Sequence, residues 1–524
     1  MATNVVNLDA LIPRQDMAEA SEPAGSKLDK IDIHHLDDHF FVGALRKPDF
    51  QRETVHWSPE KVADLIRAFI AGDLIPAVIL WQRGTNVFVI DGAHRLGALI
   101  AWVHDDYGDQ RRSIEYFGGR IPDEQQKVAE RTRRLVNGDV GPYAAYAAAR
   151  KNPQNARPEI QARLSNLAVN SIIAQWVPSV DERAAEDSFF KINQAATPID
   201  PTERRILKAR HAPNAVAARA IVRGGTGHKY WAKYAEETRN AIESVAKQIH
   251  SALYEPPIGD LPIKTIDLPL AGRGYNALPF VFDLVNWANS IPDPTKTIDI
   301  DKPLAPDGDG THTVQYLKKV KESVELLTGN TSSSLGIHPL IYCYTRGGEF
   351  QPAALLAITE LLKNLSEKGK LREFTAIRRK FEDFLLAHKE FITLIIKRTG
   401  AGRRSLNRIV RYYEFVIKEL IDGKSDSDVV AALEADKEEF SFLLGARAPA
   451  VKDGENPTRR LSRATKSASF LQAALQSPVR CALCNGMIHK NSIQIDHIQR
   501  RREGGATDVT NAQVAHPYCN SIKS

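Results

Sequence analysis

Two pairs of metal-binding side chains constrain the fold of this sequence more than any other feature. Cys481 and Cys484 form one pair, His516 and Cys519 form the other, and residues 485–515 separate them. Three thiolates and an imidazole in two close pairs suit a closed tetrahedral zinc site. So short a segment has little apolar surface to bury, and a zinc ion is therefore a reasonable source of its stability. The pairs predict a zinc-stapled module.

Polar residues that could act as a base or as metal ligands lie between and just after these pairs. An alternating stretch, residues 491–498, predicts a strand and contains adjacent Asp496 and His497, while Asn511 and Asn520 follow. An imidazole with a pKa near neutrality can deprotonate water. A carboxylate and an amide carbonyl are oxygen ligands for a hard divalent cation. The segment between the zinc pairs therefore decides the expected function.

A resemblance to the HNH, or ββα-metal, nuclease family covers about the last 45 residues and is carried by Asp496-His497, Gly504-Gly505, Asn511 and His516-Pro-Tyr-Cys519-Asn520. It implies that His497 is the general base and that Asp496 and Asn520 hold a catalytic Mg²⁺ or Mn²⁺. It also implies that Asn511 braces the loop and aims the base without contacting metal. His516 stands where many relatives carry cysteine, a change that preserves zinc ligation.

Three consecutive arginines, Arg500, Arg501 and Arg502, follow the predicted catalytic strand. Their position favours contacts with DNA phosphates, although a run of this kind is often only a solvated face. Residues that would read bases are not evident, so sequence specificity is expected to be low or to depend on another domain. The alternative for the whole module is a zinc ribbon that binds DNA or protein without cutting.

A second resemblance spans residues 40–210 and is carried by Pro48-Asp49-Phe50-Gln51-Arg52, Ile75-Pro76, Ile90-Asp91-Gly92-Ala93-His94-Arg95-Leu96 and Phe189-Phe190-Lys191-Ile192-Asn193-Gln194 with Pro198 and Glu203. These segments resemble the ParB/sulfiredoxin-like superfamily, and more narrowly the DUF262 domains of modification-dependent restriction and phage-defence proteins and the related DGQHR proteins. The resemblance implies a pocket that binds a nucleotide or phosphate. Ala93 stands where these families usually have glutamine, which leaves open whether a nucleotide is hydrolysed or only bound.

The residues expected to line this pocket are Gln51, Arg52, Asp91, Gly92, His94 and Arg95. A strand that runs into an Asp-Gly turn, with a helix starting at about Ala93, places free backbone N–H groups beside His94 and Arg95. Two arginines can clamp phosphates, and a carboxylate can hold a metal or orient a water. The alternative is that Asp-Gly is an ordinary turn and that an Arg–Asp pair there is structural.

Length and composition set the remaining bounds. A chain of 524 residues, 43% hydrophobic and 26% charged, is expected to be a soluble multidomain protein. Its first residues lack an export signal, which favours a cytoplasmic location. Cys343 lies in an apolar stretch and is expected to be a core residue. The net charge of +6 favours an anionic partner only weakly.

The predicted fold class is multidomain α+β, with a ParB-like α/β domain, a mostly α-helical middle and a zinc-stapled ββα-metal HNH module. Residues 125–255 are expected to be mostly helical, and 61–70 to form a helix that is followed by a hairpin with strands over 77–81 and 86–90. The expected divisions are a flexible arm over 1–30, a ParB/DUF262-like sensing domain over 31–225, a helical domain over 226–445, a linker over 446–469 and the HNH domain over 470–524.

A basic cluster around Arg403 and Arg404, followed by Tyr412 and Tyr413, could form a nucleic-acid groove. The favoured interpretation is a solvated junction whose tyrosines belong to the core.

The pairing of the two families implies an HNH DNA endonuclease in restriction or anti-phage defence. Its activity is expected to be gated by an N-terminal domain that senses a nucleotide or modified DNA. The expected cofactors are structural Zn²⁺ and catalytic Mg²⁺ or Mn²⁺, with an NTP as a further candidate. The expected partners are DNA, either modified or unmodified, and a nucleotide, with a homo-oligomer as a further candidate and no membrane. Alternatives are a non-cleaving ParB-like DNA-binding regulator, an NTPase with a DNA-targeting zinc module, and a nuclease that acts on RNA.

Overall fold

The structure is a computed structural model that describes residues 5–15, 27–51, 57–117, 119, 121, 123–178, 182–195, 201–258, 262–272, 277–292, 304–400, 403–445 and 461–523. Backbone contacts divide the chain into two compact units. Unit 1 comprises Met1–Val216, Thr226–Lys233 and Pro303–Pro306, and unit 2 comprises Ala217–Gly225, Tyr234–Lys302 and Asp307–Ser524. The zinc-binding pairs therefore share a unit with the helical middle of the chain.

Unit 1 is built on a six-stranded mixed sheet. Its strands are β1 (Arg14–Gln15), β2 (Lys30–Asp32), β3 (Leu45–Pro48), β4 (Val78–Arg83), β5 (Asn86–Asp91) and β6 (Ser171–Trp176). The spatial order is β1-β3-β5-β4-β6-β2. Strand β3 is parallel to β1 and β5, β4 is antiparallel to β5 and parallel to β6, and β2 is antiparallel to β6. The carboxyl ends of β3 and β5 therefore lie at the same end of the sheet.

Unit 1 also contains α-helices. They are α1 (Ile33–Asp37), α2 (His39–Ala44), α3 (Pro59–Ala71), α4 (Ala93–His104), α5 (Arg111–Tyr116), α6 (Asp123–Asp139), α7 (Tyr143–Lys151), α8 (Pro158–Val169), α9 (Glu182–Ala195) and α10 (Pro201–Lys208). Helix α3 shows why they form. Ser58 caps its first turn, Pro59 occupies a position that needs no N–H donor, and Val62, Ile66 and Phe69 are buried at helical spacing. The predicted helix followed by a hairpin is confirmed.

The flexible arm predicted for residues 1–30 is wrong for the residues of it that the structure describes. Val6, Leu11 and Ile12 are buried in the core of unit 1. Strand β1 pairs with β3, and Lys30 begins β2. The reason is tertiary, because these short apolar stretches lack any periodicity of their own and become ordered by packing on the sheet.

Unit 2 is predominantly helical, as expected for the middle of the chain. After α11 (Pro213–Arg223), in which the two units divide, its helices are α12 (Glu236–Tyr254), α13 (Leu278–Ala288), α14 (Thr311–Leu327), α15 (Pro339–Tyr342), α16 (Pro352–Glu367), α17 (Leu371–Ala387), α18 (Glu390–Thr399), α19 (Arg403–Ile421), α20 (Asp426–Ala435) and α21 (Phe442–Gly445). Tyr412, Tyr413 and Cys343 are all buried. The tyrosines therefore belong to the core.

The last described segment begins with α22 (Arg463–Ala474), so the linker predicted over 446–469 is wrong for its final residues. Ser467 and Leu471 of this helix are buried, which explains why it is ordered. The part of the predicted linker before residue 461 lies outside the described residues. Strands β7 (Gln494–His497) and β8 (Ala512–Ala515) form an antiparallel pair, and α23 (Pro517–Ser521) follows. The ββα order confirms the predicted fold class.

None of the helices in the described ranges combines the length and the apolar character that crossing a membrane requires.

Candidate functional site

The four predicted zinc ligands come together in unit 2. Their ligand atoms, from Cys481, Cys484, His516 and Cys519, all lie within 4.8 Å of one another. The first pair sits in a tight turn in which the N–H of Asn485 donates to the carbonyl of Cys481. The second pair lies at the start of α23. Residues far apart in sequence thus converge on one point.

The His516 ring is oriented for metal ligation through Nδ1. That atom lies 3.3 Å from Cys484 Sγ and 3.9 Å from Cys519 Sγ, while Nε2 lies 3.0 Å from the carbonyl of Met487. A ligating imidazole usually donates its second N–H to a carbonyl in this way. Burial and the positive charge of Arg378 lower the pKa of His516, which favours the neutral ring that a metal needs.

Hydrogen bonds among the thiols separate their pKa values. Those from Cys484 and Cys519 lower the pKa of Cys481, while the pKa of Cys519 is raised. Cys481 and Cys519 are buried together with Ile488 and Ala515 in a small core of their own. Three sulfurs and one nitrogen, closely grouped and shielded, fit a structural zinc ion.

The predicted nuclease residues lie on the adjacent hairpin. Asp496 pairs with Gln513 across β7 and β8, and His497 ends β7 opposite Ala512. His497 is half-buried. Among the described residues, none forms a hydrogen bond with its ring. The imidazole at the end of this strand therefore has access to solvent.

The Asp496 carboxylate is ionised and held from two sides. Lys523 Nζ and Gln513 Nε2 each donate to Asp496 Oδ2 at 2.8 Å. Burial opposes the charge, but the hydrogen bonds from Lys523 and Gln513 keep the pKa of Asp496 below its usual value. An ionised carboxylate is the form that a divalent cation binds.

Asn520 approaches the same face of the hairpin from helix α23. Its Nδ2 donates to Gln494 Oε1 at 2.8 Å. Alternate residues of a strand share a face, so Gln494 and Asp496 project from the same side of β7. The structure therefore brings Asn520 to the side of the strand that carries the predicted carboxylate ligand.

Asn511 fixes the loop that follows His497. Its Oδ1 accepts from the Gln499 N–H at 2.7 Å, and its Nδ2 donates to the carbonyls of Gln499 and Ala506 at 2.9 and 2.7 Å. A Cβ at Gly505 would lie 2.0 Å from the Gln499 carbonyl oxygen, so only glycine lets the loop close on this brace.

The three arginines are not equivalent. Arg500 donates to the Lys523 carbonyl and is partly buried. Arg501 and Arg502 are exposed in a short 3₁₀ turn, where Arg502 Nε lies 3.7 Å from Glu503 Oε1. Arg501 and Arg502 are therefore accessible to a phosphate backbone, whereas Arg500 supports the loop.

The N-terminal candidates lie where β5 meets α4, within unit 1. Gly92 precedes α4 in a left-handed conformation. Arg95 Nη2 donates to Asp91 Oδ2 at 2.6 Å and to the Ala77 carbonyl at 3.0 Å. An Arg–Asp pair is thus present at this junction, and its presence is compatible with either a structural or a binding role. Arg95 Nε is buried without a hydrogen-bond partner among the described residues.

Gln51 and His94 belong to the same end of the sheet. Gln51 follows β3, its carbonyl accepts from Arg14 Nη1 at 2.6 Å, and its buried Oε1 has no hydrogen-bond partner within the described ranges. The His94 ring stacks on Trp57, with ring centroids 5.8 Å apart and planes 18° from parallel. Arg52 lies outside the described residues. The described members of this predicted set thus lie at one end of the sheet, and two of their buried polar atoms have no hydrogen-bond partner within the described ranges.

Comparisons with known proteins match two segments of the chain to family models. Residues 33–212 match the family model described as GmrSD restriction endonuclease, N-terminal domain. Residues 481–524 match the model described as HNH endonuclease. The chain joins a GmrSD-type N-terminal domain to an HNH endonuclease domain. Searches of the curated proteins and of the solved structures found no match.

The two matches confirm the resemblances found in the sequence, and they support an HNH nuclease that acts in restriction or defence. An endonuclease domain implies DNA as its substrate. Both the HNH match and the cluster of three cysteines and a histidine are consistent with a bound metal such as zinc.

The HNH domain packs directly on the helices of unit 2, a feature that the sequence did not predict. Arg378 of α17 donates to the carbonyls of Leu335 and Gly336 at 2.6 and 3.0 Å, and its Nη1 lies 3.4 Å from His516 Nδ1. A Cβ at Gly336 would lie 2.8 Å from His516 Cδ2. Glycine there permits the close approach.

Residues that the sequence reasoning missed surround the HNH site. Lys523 contacts Asp496, Gln494 contacts Asn520, and Ser492 Oγ accepts from the Gly329 N–H at 2.9 Å. The one sequence signal that could have identified Lys523 is its position three residues after Asn520. The other contacts depend on the tertiary arrangement.

Proposed function

We propose that the protein is a metal-dependent DNA endonuclease in which His497 is the general base. The observation that carries the proposal is the arrangement at the end of β7. There an ionised Asp496, a solvent-accessible His497 and an Asn511-braced loop lie within one ββα unit beside the zinc ligands. Carboxylate, imidazole and a fixed loop are what hydrolysis of a phosphodiester needs.

Asp496 and Asn520 would hold the catalytic Mg²⁺ or Mn²⁺. The fit is supported by the oxygen-rich surroundings of Asp496, which already hold a positively charged group, the Lys523 ammonium. When bound, the ion supplies stabilisation of the negative charge that develops on the phosphate and the leaving oxygen. Cys481, Cys484, His516 and Cys519 would hold the structural zinc.

Other side chains of this site are assigned to proton transfer, to positioning of the loop and to contact with the DNA backbone. A ring nitrogen of His497 accepts the proton of the attacking water. Asn511 acts as a positioning residue, because its hydrogen bonds fix the loop that begins directly after the base. Arg501 and Arg502 contact the DNA backbone, and Arg500 keeps that loop in place through the Lys523 carbonyl.

We also propose that the GmrSD-type domain binds a nucleotide or modified DNA and gates cleavage. Support comes from the unsatisfied Gln51 Oε1 and Arg95 Nε, from the N-terminus of the 12-residue helix α4, and from the flat Trp57–His94 stack. Helix N-termini bind phosphates, and aromatic faces stack on bases. A nuclease with few base-reading residues needs such control to spare its host.

The test is cleavage of plasmid and phage DNA, modified and unmodified, with Mg²⁺ or Mn²⁺ and with or without each NTP. Wild type is compared with His497→Ala and with His312→Ala, a control at a histidine with 68% of its side chain exposed. Cleavage that requires metal, disappears in His497→Ala and persists in His312→Ala supports the nuclease. Dependence on an NTP or on modification supports gating, and indifference to both refutes it. DNA binding without cleavage under every condition would favour the non-cleaving regulator.

A further inference from the structure

Lys523 lies in a cage of oxygen atoms at the proposed catalytic centre. Its Nζ donates to Asp496 Oδ2 at 2.8 Å, to the Ile498 carbonyl at 3.1 Å and to the His497 carbonyl. Its side chain is only 16% exposed, and that of Asp496 is 13% exposed. Three oxygens around one shielded cation resemble the partial coordination shell of a metal ion more than a surface salt bridge.

The ammonium and a divalent ion would compete for the same carboxylate. Lys523 Nζ uses Asp496 Oδ2, and Gln513 donates to the same oxygen, so a metal that binds Asp496 meets a positive charge only a few ångströms away. Repulsion between a divalent and a monovalent cation at this separation is large even with substantial screening. Metal binding at Asp496 is therefore unfavourable while Lys523 occupies the cage.

DNA offers Lys523 another partner. A phosphate that enters beside Asp496 brings anionic oxygens within reach of a flexible four-carbon side chain. Arg501 and Arg502, on the loop after the strand, are exposed and able to hold that backbone. Movement of the ammonium from the carboxylate to the phosphate would leave the Asp496 oxygen free for the divalent ion.

We propose that Lys523 is an exchangeable resident cation, which fills the cation position at Asp496 in the DNA-free protein and yields it to the divalent metal when a DNA phosphate arrives. The inference rests on the proposed nuclease function and deepens it. Metal binding and substrate binding are thereby coupled, so the DNA-free enzyme binds the catalytic metal more weakly than the DNA-bound enzyme does. The coupling is separate from any gating by the N-terminal domain.

The experiment measures Mn²⁺ binding to the full-length, DNA-free protein by the loss of the free-ion electron paramagnetic resonance signal. Wild type is compared with Lys523→Gln, Lys523→Arg and Asp496→Asn. Removal of the competing charge in Lys523→Gln should tighten Mn²⁺ binding by about tenfold, whereas Lys523→Arg, which keeps the charge, should stay close to wild type. Asp496→Asn should lose one binding site.

The direction in which Lys523→Gln changes the Mn²⁺ affinity distinguishes a resident cation from a purely structural residue. If Lys523 only braced the strand end, Lys523→Gln would bind Mn²⁺ equally or more weakly, and that result would overturn the proposal. If Asp496→Asn kept every Mn²⁺ site, the metal site of the proposed function would be wrong and the inference would fall with it. Loss of a site in Asp496→Asn without tighter binding in Lys523→Gln would refute the resident cation alone.

A second measurement uses a duplex oligonucleotide in the His497→Ala background, in which cleavage is prevented. Addition of the duplex should tighten Mn²⁺ binding in His497→Ala. It should have a much smaller effect in the double variant His497→Ala/Lys523→Gln, because no resident charge remains to be displaced. An equal effect of DNA in the two backgrounds would contradict the exchange.

Discussion

Arg378 and Glu382 form a fully buried ion pair that joins the helical part of unit 2 to its zinc module. Arg378 Nε donates to Glu382 Oε1 at 2.8 Å, and neither side chain is exposed. Glu382 Oε2 accepts from the Met487 N–H at 2.7 Å, and Arg378 Nη1 lies 3.4 Å from His516 Nδ1. One charged pair of α17 therefore contacts both the turn after Cys484 and a zinc ligand.

Neutralising Glu382 should strongly destabilise unit 2. Glu382→Gln keeps the shape of the side chain but leaves the buried Arg378 guanidinium without its counter-charge. Loss of one partner of a buried pair costs about 3–5 kcal/mol. Urea-induced unfolding of the full-length protein, followed by circular dichroism, should show the transition of this unit at a markedly lower urea concentration.

Asp383→Asn is the matched control for this change. Asp383 is the next residue of α17, is 44% exposed, and pairs with Arg480 at 3.0 Å. An exposed pair contributes less than about 1 kcal/mol. Equal shifts of the unfolding transition in the two variants would show that the buried pair has no special role in holding the HNH domain.

The HNH domain and its cluster of possible metal ligands were predictable because the sequence motif that indicates them is short and local. Cys481 and Cys484 lie in one turn, and Asp496 and His497 are adjacent in sequence. Cysteine pairs at this spacing indicate a zinc site, and a carboxylate beside an imidazole indicates hydrolytic chemistry. The contribution of Lys523 was not predictable, since only the placement of α23 brings its ammonium to β7. Arg378 could not be identified either, because it lies far from the zinc ligands in sequence and only the tertiary structure brings it to them.

The fold of unit 1 was predicted in part. The α3 helix and the β4–β5 hairpin follow from clear periodicity and an intervening turn. Strand β6, in contrast, lies inside a segment expected to be mostly helical, and β1 lies in the segment expected to be a flexible arm. Both are short strands whose pairing is supplied by the rest of the sheet, which single-sequence patterns do not contain.

Removal of the Asn511 side chain should slow cleavage without removing zinc. Asn511→Ala loses the three hydrogen bonds to Gln499 and Ala506, so the loop after His497 is no longer fixed. Loss of a group that orients a metal-site residue typically costs about 10–100-fold in activity. The effect should fall on kcat, measured with saturating Mg²⁺ and a plasmid substrate. Thr510→Ala, at the exposed neighbouring position, should cleave DNA at the normal rate. An equal loss of activity in the two variants would mean that any substitution in this segment impairs cleavage.

Asp49 should make unit 1 sensitive to acid. Its carboxylate is 1% exposed and accepts from Arg210 Nε at 2.8 Å, with His211 Nε2 at 3.3 Å. Burial opposes ionisation, but His211 and Arg210 keep the pKa of Asp49 below the ordinary value of 3.8. A lowered folded-state pKa contributes stability above pH 3.8, and that stability is lost as the pH falls below it.

Thermal unfolding of wild type and Asp49→Asn between pH 7 and pH 3 measures this contribution. The variant should be less stable by about 1–3 kcal/mol at neutral pH. The difference should shrink as the pH falls below about 3.8, because the wild-type carboxylate then becomes protonated. Asp64→Asn, at an aspartate 64% exposed beside Arg67, should match wild type throughout. A stability difference between wild type and Asp49→Asn that does not change with pH would show that Asp49 acts through packing alone.

Zinc should be required for the folded HNH domain and for its attachment to the helices. One Zn²⁺ per chain is expected by elemental analysis, and Cys519→Ala should lose it because three ligands do not close the tetrahedral site. Cys343→Ala is the control, since Cys343 is buried in the core of unit 2 and is not among the four clustered ligands. Chelation of wild type by EDTA should reproduce the Cys519→Ala phenotype, with increased protease sensitivity of residues 475–523. Retention of zinc in Cys519→Ala, or its loss in Cys343→Ala, would contradict the assignment of the ligands.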